Sequence, residues 1–353
     1  MHVHSFLVKY KNKVVKIDVD YNYQFTSSSG LSGTLIKQNK FITCLLIDGV
    51  HEVFVYKPLN NMYEHVPNCD YDGRRVINVF AGGGLGNQLW QYAFCQFLTK
   101  SYPNSKICYN TTWFKKQNHN DIVREYHLDK FKLNDNVKIS TVLDNYITIN
   151  NTVFESSMYG IRVNLDTVLI KNDDIALSGY WQRWEYVEDN LDNIKDCFTL
   201  KDDITDETFL KFKNDIISSK NSCSIHIRRT DYLDNKNVYV ILDVDYYVKA
   251  IECVRQLYNN DVQFFCFSDD IEWCKMVFNN IEGIHYISDT KSDIHDFELM
   301  KMCHNNIIAN STFSWWAAIL NNNKDKLVIA PKAWYTFDHK LFQFGCDGRC
   351  IQI

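Results

Sequence analysis

Residues 224–232 read Ser-Ile-His-Ile-Arg-Arg-Thr-Asp-Tyr, an apolar run that abruptly becomes charged. As a strand, its two-residue period puts Ser224, His226 and Arg228 on one face and Ile225, Ile227 and Arg229 on the other, so one arginine points into a cleft. A guanidinium is a planar fork that matches phosphate oxygens bidentately, and ligands of open α/β sheets sit outside the carboxyl ends of strands. Diphosphate binding by Arg228 is the chemistry this predicts. For Arg229 and Asp231 the plainer expectation is an ion pair between them that holds the loop.

Three other segments carry polar groups just after an apolar strand. Ala81-Gly82-Gly83-Gly84-Leu85-Gly86-Asn87-Gln88 is a turn whose backbone N–H groups and following helix can approach a ligand closely. It lacks the Gly-Lys-Ser/Thr of a Walker loop and the third glycine of a nicotinamide-dinucleotide fingerprint, and the added Asn87-Gln88 favours a polar ligand contact. Phe267-Ser268-Asp269-Asp270 ends another apolar run; Asp269 is a candidate acceptor for nucleoside hydrogen bonds, whereas Ser268 and Asp270 read equally well as helix capping. Asn310-Ser311-Thr312-Phe313-Ser314-Trp315-Trp316 supplies hydroxyls at a helix start that suit a phosphate, and an aromatic ring that can stack on a base or sugar.

These segments need parallel sheets to position them. From Arg75 onward, strands expected over 76–81, 106–110, 222–228, 263–267, 306–309 and 327–330 alternate with helices over 87–101 and 245–258, the pattern of βαβ units. In the second helix Tyr247, Ile251, Val254 and Tyr258 form an apolar stripe and are assigned to the core. Two such sheets, joined near residues 185–205, would leave a cleft between them. The first 57 residues read instead as short strands with a hairpin at Asp48-Gly49, followed by an aperiodic linker over 58–75. The expected division is a β-rich module over 1–72, a Rossmann-like domain over 73–200 and a second over 201–353.

With 353 residues, 46% of them hydrophobic, the chain can fill several cores; 38 Lys plus Arg against 43 Asp plus Glu gives a formal charge of -5 and no field to draw a nucleic acid. No secretory leader and no run near the roughly 18 apolar residues of a membrane span is legible, so a soluble, cytoplasmic protein is expected, in the host cytoplasm were the source viral. The 12 cysteines are scattered without a Cys-x-x-Cys and are expected to be reduced core residues, with a zinc clip at Cys346, Cys350 and His339 the weaker reading. Sequons at Asn110, Asn150 and Asn310 are expected to be silent.

Over residues 75–335 the motifs together resemble the α-1,2-fucosyltransferases, glycosyltransferase family 11. The resemblance rests on Gly83-Gly84-Leu85-Gly86-Asn87-Gln88, Gly179-Tyr180-Trp181-Gln182 with Tyr186, His226-Ile227-Arg228-Arg229-Thr230-Asp231-Tyr232, Phe267-Ser268-Asp269-Asp270 and Ser311-Thr312-Phe313-Ser314-Trp315-Trp316, in that order. It implies an α/β fold of GT-B type, two Rossmann-like domains facing a cleft, preceded here by the small β-rich module. It implies transfer of L-fucose from GDP-L-fucose, held mainly by the C-terminal domain, to the 2-hydroxyl of a galactoside in an oligosaccharide or glycoconjugate. Inversion would proceed with no metal and no other cofactor.

Carried onto this sequence, the resemblance gives Arg228 the diphosphate and the leaving phosphate, with His226 orienting the same region and Asp231 a weaker catalytic candidate. Asp269 becomes a nucleoside contact, Ser311, Thr312 and Phe313 a phosphate- and base-binding turn, and Gly86 with Asn87 a reach from the first domain. The chain departs from the pattern at Asn305, Ala317, the module before Asp72 and the tail from Tyr335. Fucosylation of a protein or another hydroxyl is the alternative, as is a non-catalytic glycan- or nucleotide-binding protein, which intact Arg228, Asn87 and Ser311-Thr312 argue against.

Overall fold

The computed structural model describes residues 2–353 apart from 11–12, 21–22, 39–41, 48–49, 58–61, 67–74, 116, 118–122, 141–151, 156–162, 166–168, 170–173 and 338–344. Among the described residues, β1 (His2–Tyr10), β2 (Lys13–Asp20), β3 (Gln24–Ser27), β4 (Ser32–Gln38), β5 (Ile42–Ile47), β6 (Val50–Lys57) and β7 (Met62–Val66) close a barrel. Strict alternation drives it: Val15, Ile17 and Val19 point inward with Val8, Phe25 and Leu35, while Lys16 and Asp18 pair outside at 2.8 Å. β5 and β6 pair antiparallel up to Ile47 opposite Val50, the register a two-residue hairpin requires; Asp48 and Gly49 themselves lie outside the described residues. β2 and β3 pair antiparallel, with Ile17 opposite Ser27 and Val19 opposite Phe25. The expected linker contains β7, which pairs with β6 and, in parallel, with β1; the boundary near Asp72 lies outside the described residues. Five residues of mixed polarity carry too little periodicity to announce such a closing strand.

The next sheet is built on β8 (Arg75–Phe80), which runs through the Gly-rich turn into α1 (Leu85–Ser101). β9 (Ser105–Asn110) and β10 (Val137–Ser140) lie on one side of β8, and β12 (Ile175–Gly179) and β11 (Thr152–Glu155) on the other, all in parallel. β10, β11 and β12 escape the sequence reading because they are short and set among Asn- and Asp-rich stretches.

After α2 (Leu191–Cys197) and α3 (Glu207–Ser218), a second parallel sheet is centred on β13 (Ser222–Ile227). β14 (Gln263–Ser268) and β15 (Ile284–Tyr286) extend it one way, and β16 (Asn305–Ile307), β17 (Leu327–Ala330) and β18 (Arg349–Gln352) the other. Its helices are α4 (Thr230–Asp234), α5 (Val244–Leu257), α6 (Ile271–Val277), α7 (Asp293–Met302) and α8 (Thr312–Ile319). Asp243 caps α5 by accepting from Tyr246 N at 2.9 Å, and Tyr247, Ile251 and Val254 are buried as expected from their stripe, whereas Tyr258, just past the helix, is half-buried against the core's edge. The two doubly wound sheets make the GT-B arrangement, and both reverse strand order at their first strand.

The sheets are joined by tryptophans. Trp90 of α1 stacks on Trp315 of α8 at 4.4 Å and meets Trp316 edge-on at 5.2 Å, all three fully buried in one apolar core that runs through both sheets. Eight described cysteines are free and, apart from Cys253, buried, as expected of core residues. Cys346 and Cys350 depart from that expectation: the turn at Asp347-Gly348, with Gly348 at φ 112°, brings their Cα atoms to 6.4 Å, and they pair as a disulfide. His339 of the supposed zinc clip lies outside the described residues. Asn110 and Asn310 are buried, which keeps a glycan off both sequons in the folded chain. Among the described residues no helix is long and apolar enough to cross a membrane.

Replacing Trp90 by alanine should cost about 3–5 kcal/mol of stability, the range for a large aromatic removed from a packed core. Denaturant unfolding checks it; a loss below about 1 kcal/mol would show that the two sheets do not depend on this junction.

Candidate active site

In an open α/β sheet the crevice opens where strand order reverses. In the second sheet that is between β13 and β16, and the turns that follow these two strands carry Arg228 and Asn310-Ser311-Thr312-Phe313. In the first sheet it is between β8 and β12, followed by the Gly-rich turn and by Gly179-Tyr180-Trp181-Gln182. The two crevices face each other: Asn87 Oδ1 accepts from Gln182 Nε2 at 3.0 Å and from Thr312 Oγ1 at 3.2 Å, tying three of these turns together.

Arg228 is held rigidly at the mouth. Its Nε and Nη2 donate to the two oxygens of Asp231 at 2.8 and 2.7 Å, and its Nε stands 3.3 Å from Asp269 Oδ2. Burial disfavours its charge, but the paired Asp231 and the charge of Asp269 more than offset that, and its pKa is raised. The expected Arg229–Asp231 pair is therefore not formed. Arg229 faces the other way, its Nε 3.2 Å from Asp270 Oδ2 and its guanidinium 3.7 Å above the Trp273 ring. The first turn of α4 places Asp231 under Arg228, three residues back, and the strand period turns Arg229 aside.

Asp269 braces the same turn. Oδ1 accepts from Arg229 N at 2.9 Å, and Oδ2 accepts from Thr230 N at 3.2 Å and Thr230 Oγ1 at 2.6 Å. Most of its acceptor capacity is engaged within the protein. Asp270 caps α6 through Trp273 N, and Ser268 Oγ accepts from Asp270 N, so the capping reading holds for that pair.

His226 is 5% exposed, its Nδ1 buried and without a hydrogen-bond partner among the described residues. Burial, then the charge of Arg228, lowers its pKa to about 3 against a smaller opposing pull from Asp269, so it is a neutral imidazole at physiological pH. Its ring lies 5.6 Å from that of Phe313, which in turn lies 5.4 Å from Phe297 of α7. Ser311 is the residue before α8, and its hydroxyl makes no bond to its own helix.

The glycine-rich turn serves mostly to bring backbones together. A Cβ on Gly86 would sit 2.6 Å from Phe313 N and from Thr312 C and Oγ1, so only glycine lets α1 meet the start of α8. Gln88 is fully buried: its Nε2 donates to Gly83 O at 3.0 Å and Glu125 O at 2.7 Å, and its Oε1 accepts from His127 N at 2.9 Å. The polar ligand contact read from Asn87-Gln88 is thus, for Gln88, an internal clamp on residues 125–127.

That clamp delivers two residues the sequence reading did not single out. Arg124 Nη2 comes within 3.6 Å of Asp231 Oδ2, and His127 Nε2 within 3.4 Å of Asp293 Oδ2 on α7. Both lie in a polar, aperiodic stretch with no local signal. Asp296, one turn further along α7, has its pKa pushed up to about 6 by burial, against a hydrogen bond from Thr290 Oγ1 at 2.8 Å.

Residues 76–342 match the family described as Glycosyl transferase family 11. The chain belongs to that family. As a family 11 glycosyltransferase it is 28% identical over 288 residues to the O-antigen biosynthesis glycosyltransferase WbnK of Escherichia coli, covering 73% of this chain and 94% of the relative. It is 29% identical over 304 residues to an alpha-1,2-colitosyltransferase of Escherichia coli, covering 79% and 99%. Among solved structures this family 11 chain is similar to the fucosyltransferase NodZ from Bradyrhizobium, with a TM-score of 0.46, 14% identity and coverage of 69% and 91%.

The depressed His226 pKa sets a pH dependence. Folded, the ring stays neutral down to about pH 3; unfolded, it takes up a proton near its ordinary value of 6.5. Protons therefore favour the unfolded chain, and the stability present above pH 6.5 is lost as pH falls through that window. Between pH 7 and 5 this single group should remove about 2 kcal/mol. Unfolding of wild type and His226→Gln at both pH values checks it; equal losses in the two proteins would contradict the buried neutral ring.

Proposed function

We propose that the chain is an inverting fucosyltransferase that moves L-fucose from GDP-L-fucose to a sugar hydroxyl, the 2-hydroxyl of a galactoside. The observation that carries this reading is Arg228, fixed by Asp231 at the reversal point of the second sheet, opposite the glycine-rich turn of the first. Membership of glycosyltransferase family 11 and the alpha-1,2 transfer named for one relative support it. In the proposed reaction the acceptor oxygen attacks the anomeric carbon from the face opposite GDP, the bond from that carbon to the phosphate oxygen breaks, and the acceptor proton passes to a basic group. Charge then develops on the leaving diphosphate, where a preorganised guanidinium lowers the barrier.

His226 is proposed to shape and dry the floor beside Arg228, since a neutral ring of such low basicity is a poor proton acceptor at neutral pH. Ser311, Thr312 and Phe313 are proposed to line the donor site, with Gly86 and Asn87 setting its width. Asp269 is proposed to act chiefly by holding the turn, its nucleoside contact using what acceptor capacity remains. Asp231 is proposed to aim Arg228. No metal is invoked.

The alpha-1,2-colitosyltransferase relative favours one second reading, a donor whose sugar lacks a hydroxyl that fucose carries. Assaying GDP-L-fucose and GDP-colitose on a panel of galactosides separates the two: fucosyl transfer with inverted configuration supports the first, and transfer of colitose alone replaces it. Arg228→Ala should lower kcat by about 100-fold to 1,000-fold, and EDTA should leave the rate unchanged. Full activity in the variant would remove Arg228 from the reaction, and dependence on added manganese would assign the leaving group to a metal.

A further inference from the structure

Arg124 is mounted as carefully as Arg228, although nothing in its local sequence demands it. Its backbone is gripped from both sides by one amide: Arg124 N donates to Gln117 Oε1 at 2.7 Å, and Gln117 Nε2 donates to Arg124 O at 2.6 Å. The next residues are clamped to the glycine-rich turn through buried Gln88. The guanidinium lies over that turn, since a Cβ on Gly84 would stand 3.8 Å from Arg124 Nη1. From there it reaches across to Asp231 Oδ2 at 3.6 Å, the oxygen that also accepts from Arg228 Nη2 at 2.7 Å.

Two guanidiniums, one from each sheet, thus flank a single carboxylate, and among the described residues Asp231 is the only carboxylate that Arg124 pairs with. A carboxylate carries one negative charge and two oxygens. A nucleoside diphosphate carries more of both, and arginine matches its oxygens with a rigid fork. The Arg124 side chain is 33% exposed, so its remaining donors are accessible from the cleft mouth.

We propose that Arg124 is a donor-binding residue supplied by the first sheet, which contacts the diphosphate together with Arg228 and closes the site from the opposite wall. This inference rests on the nucleoside-diphosphate-sugar reading above. Asp231 stands between the two guanidiniums, bonded to Arg228 and 3.6 Å from Arg124. The two arginines come from different walls, so the bound diphosphate would span both.

The test is calorimetric titration of the full chain with GDP, using wild type, Arg124→Ala, Arg124→Lys, Arg228→Ala and the double variant Arg124→Ala/Asp231→Asn, each with its thermal midpoint recorded. Loss of a charge-assisted contact should weaken GDP binding by about 10-fold or more in Arg124→Ala, with part of the loss recovered by lysine. The double variant should stay weak, because removing the Asp231 charge does not replace a direct contact. Restored affinity in the double variant would mean that Arg124 acts only by shielding Asp231, and would overturn the inference. So would wild-type affinity in Arg124→Ala while Arg228→Ala is impaired, whether or not the midpoint falls. If wild type itself fails to bind GDP, or Arg228→Ala binds as tightly as wild type, the donor reading fails first and this inference with it.

Discussion

Everything at the mouth of the cleft depends on how closely α1 and α8 approach. Gly86 lies against the Thr312–Phe313 backbone with no room for a Cβ, and below it Trp90 stacks on Trp315. Had position 86 carried even a methyl group, the helices would separate, and with them the glycine-rich turn from Arg228. The packing is dense and apolar, so it behaves as a fixed spacer rather than a hinge at this end. Asn87 adds direction to that spacing by accepting from a residue on each side. The two reversal points are thereby locked face to face, which turns two ordinary doubly wound sheets into one site.

The second constraint is electrostatic. Arg228, Arg229 and Arg124 meet Asp231, Asp269 and Asp270 in a compact network, with each arginine assigned a carboxylate. A buried guanidinium needs such partners, and fixed partners are what keep its fork in one orientation. Burial, and after it the charge of Arg228, depresses the basicity of His226, whose neutral ring fits the apolar wall made by Phe313 and Phe297. Charge and packing therefore specify one another: the ring stays neutral because it is buried beside a charged Arg228, and Arg228 stays charged because Asp231 and Asp269 face it.

Much of this was legible in the chain, for a physical reason. Strand ends in parallel sheets are marked by an apolar run that stops at glycine or charge, so Gly82–Gly86, Arg228, Asp269 and Ser311–Phe313 announce themselves locally. Which acid meets which arginine is not local. The strand period suggested that Arg228 and Arg229 diverge, but only the start of α4 decides that Asp231 goes to Arg228, leaving Arg229 to Asp270 and Trp273. Gln88 looked like a ligand contact because it is polar beside a glycine-rich turn; its fully buried amide is instead engaged by residues far along the chain. Arg124 and β7 were missed for the same reason, since long-range closure leaves little trace in composition or period.

On the proposed reading, the facing reversal points form a site for a guanosine-diphosphate sugar. Titration calorimetry of the purified chain with GDP-L-fucose, GDP-mannose and UDP-galactose tests it most directly. The account predicts saturable binding of the GDP sugars and none of UDP-galactose. Absence of binding to either GDP sugar, or preference for the uridine donor, would contradict it.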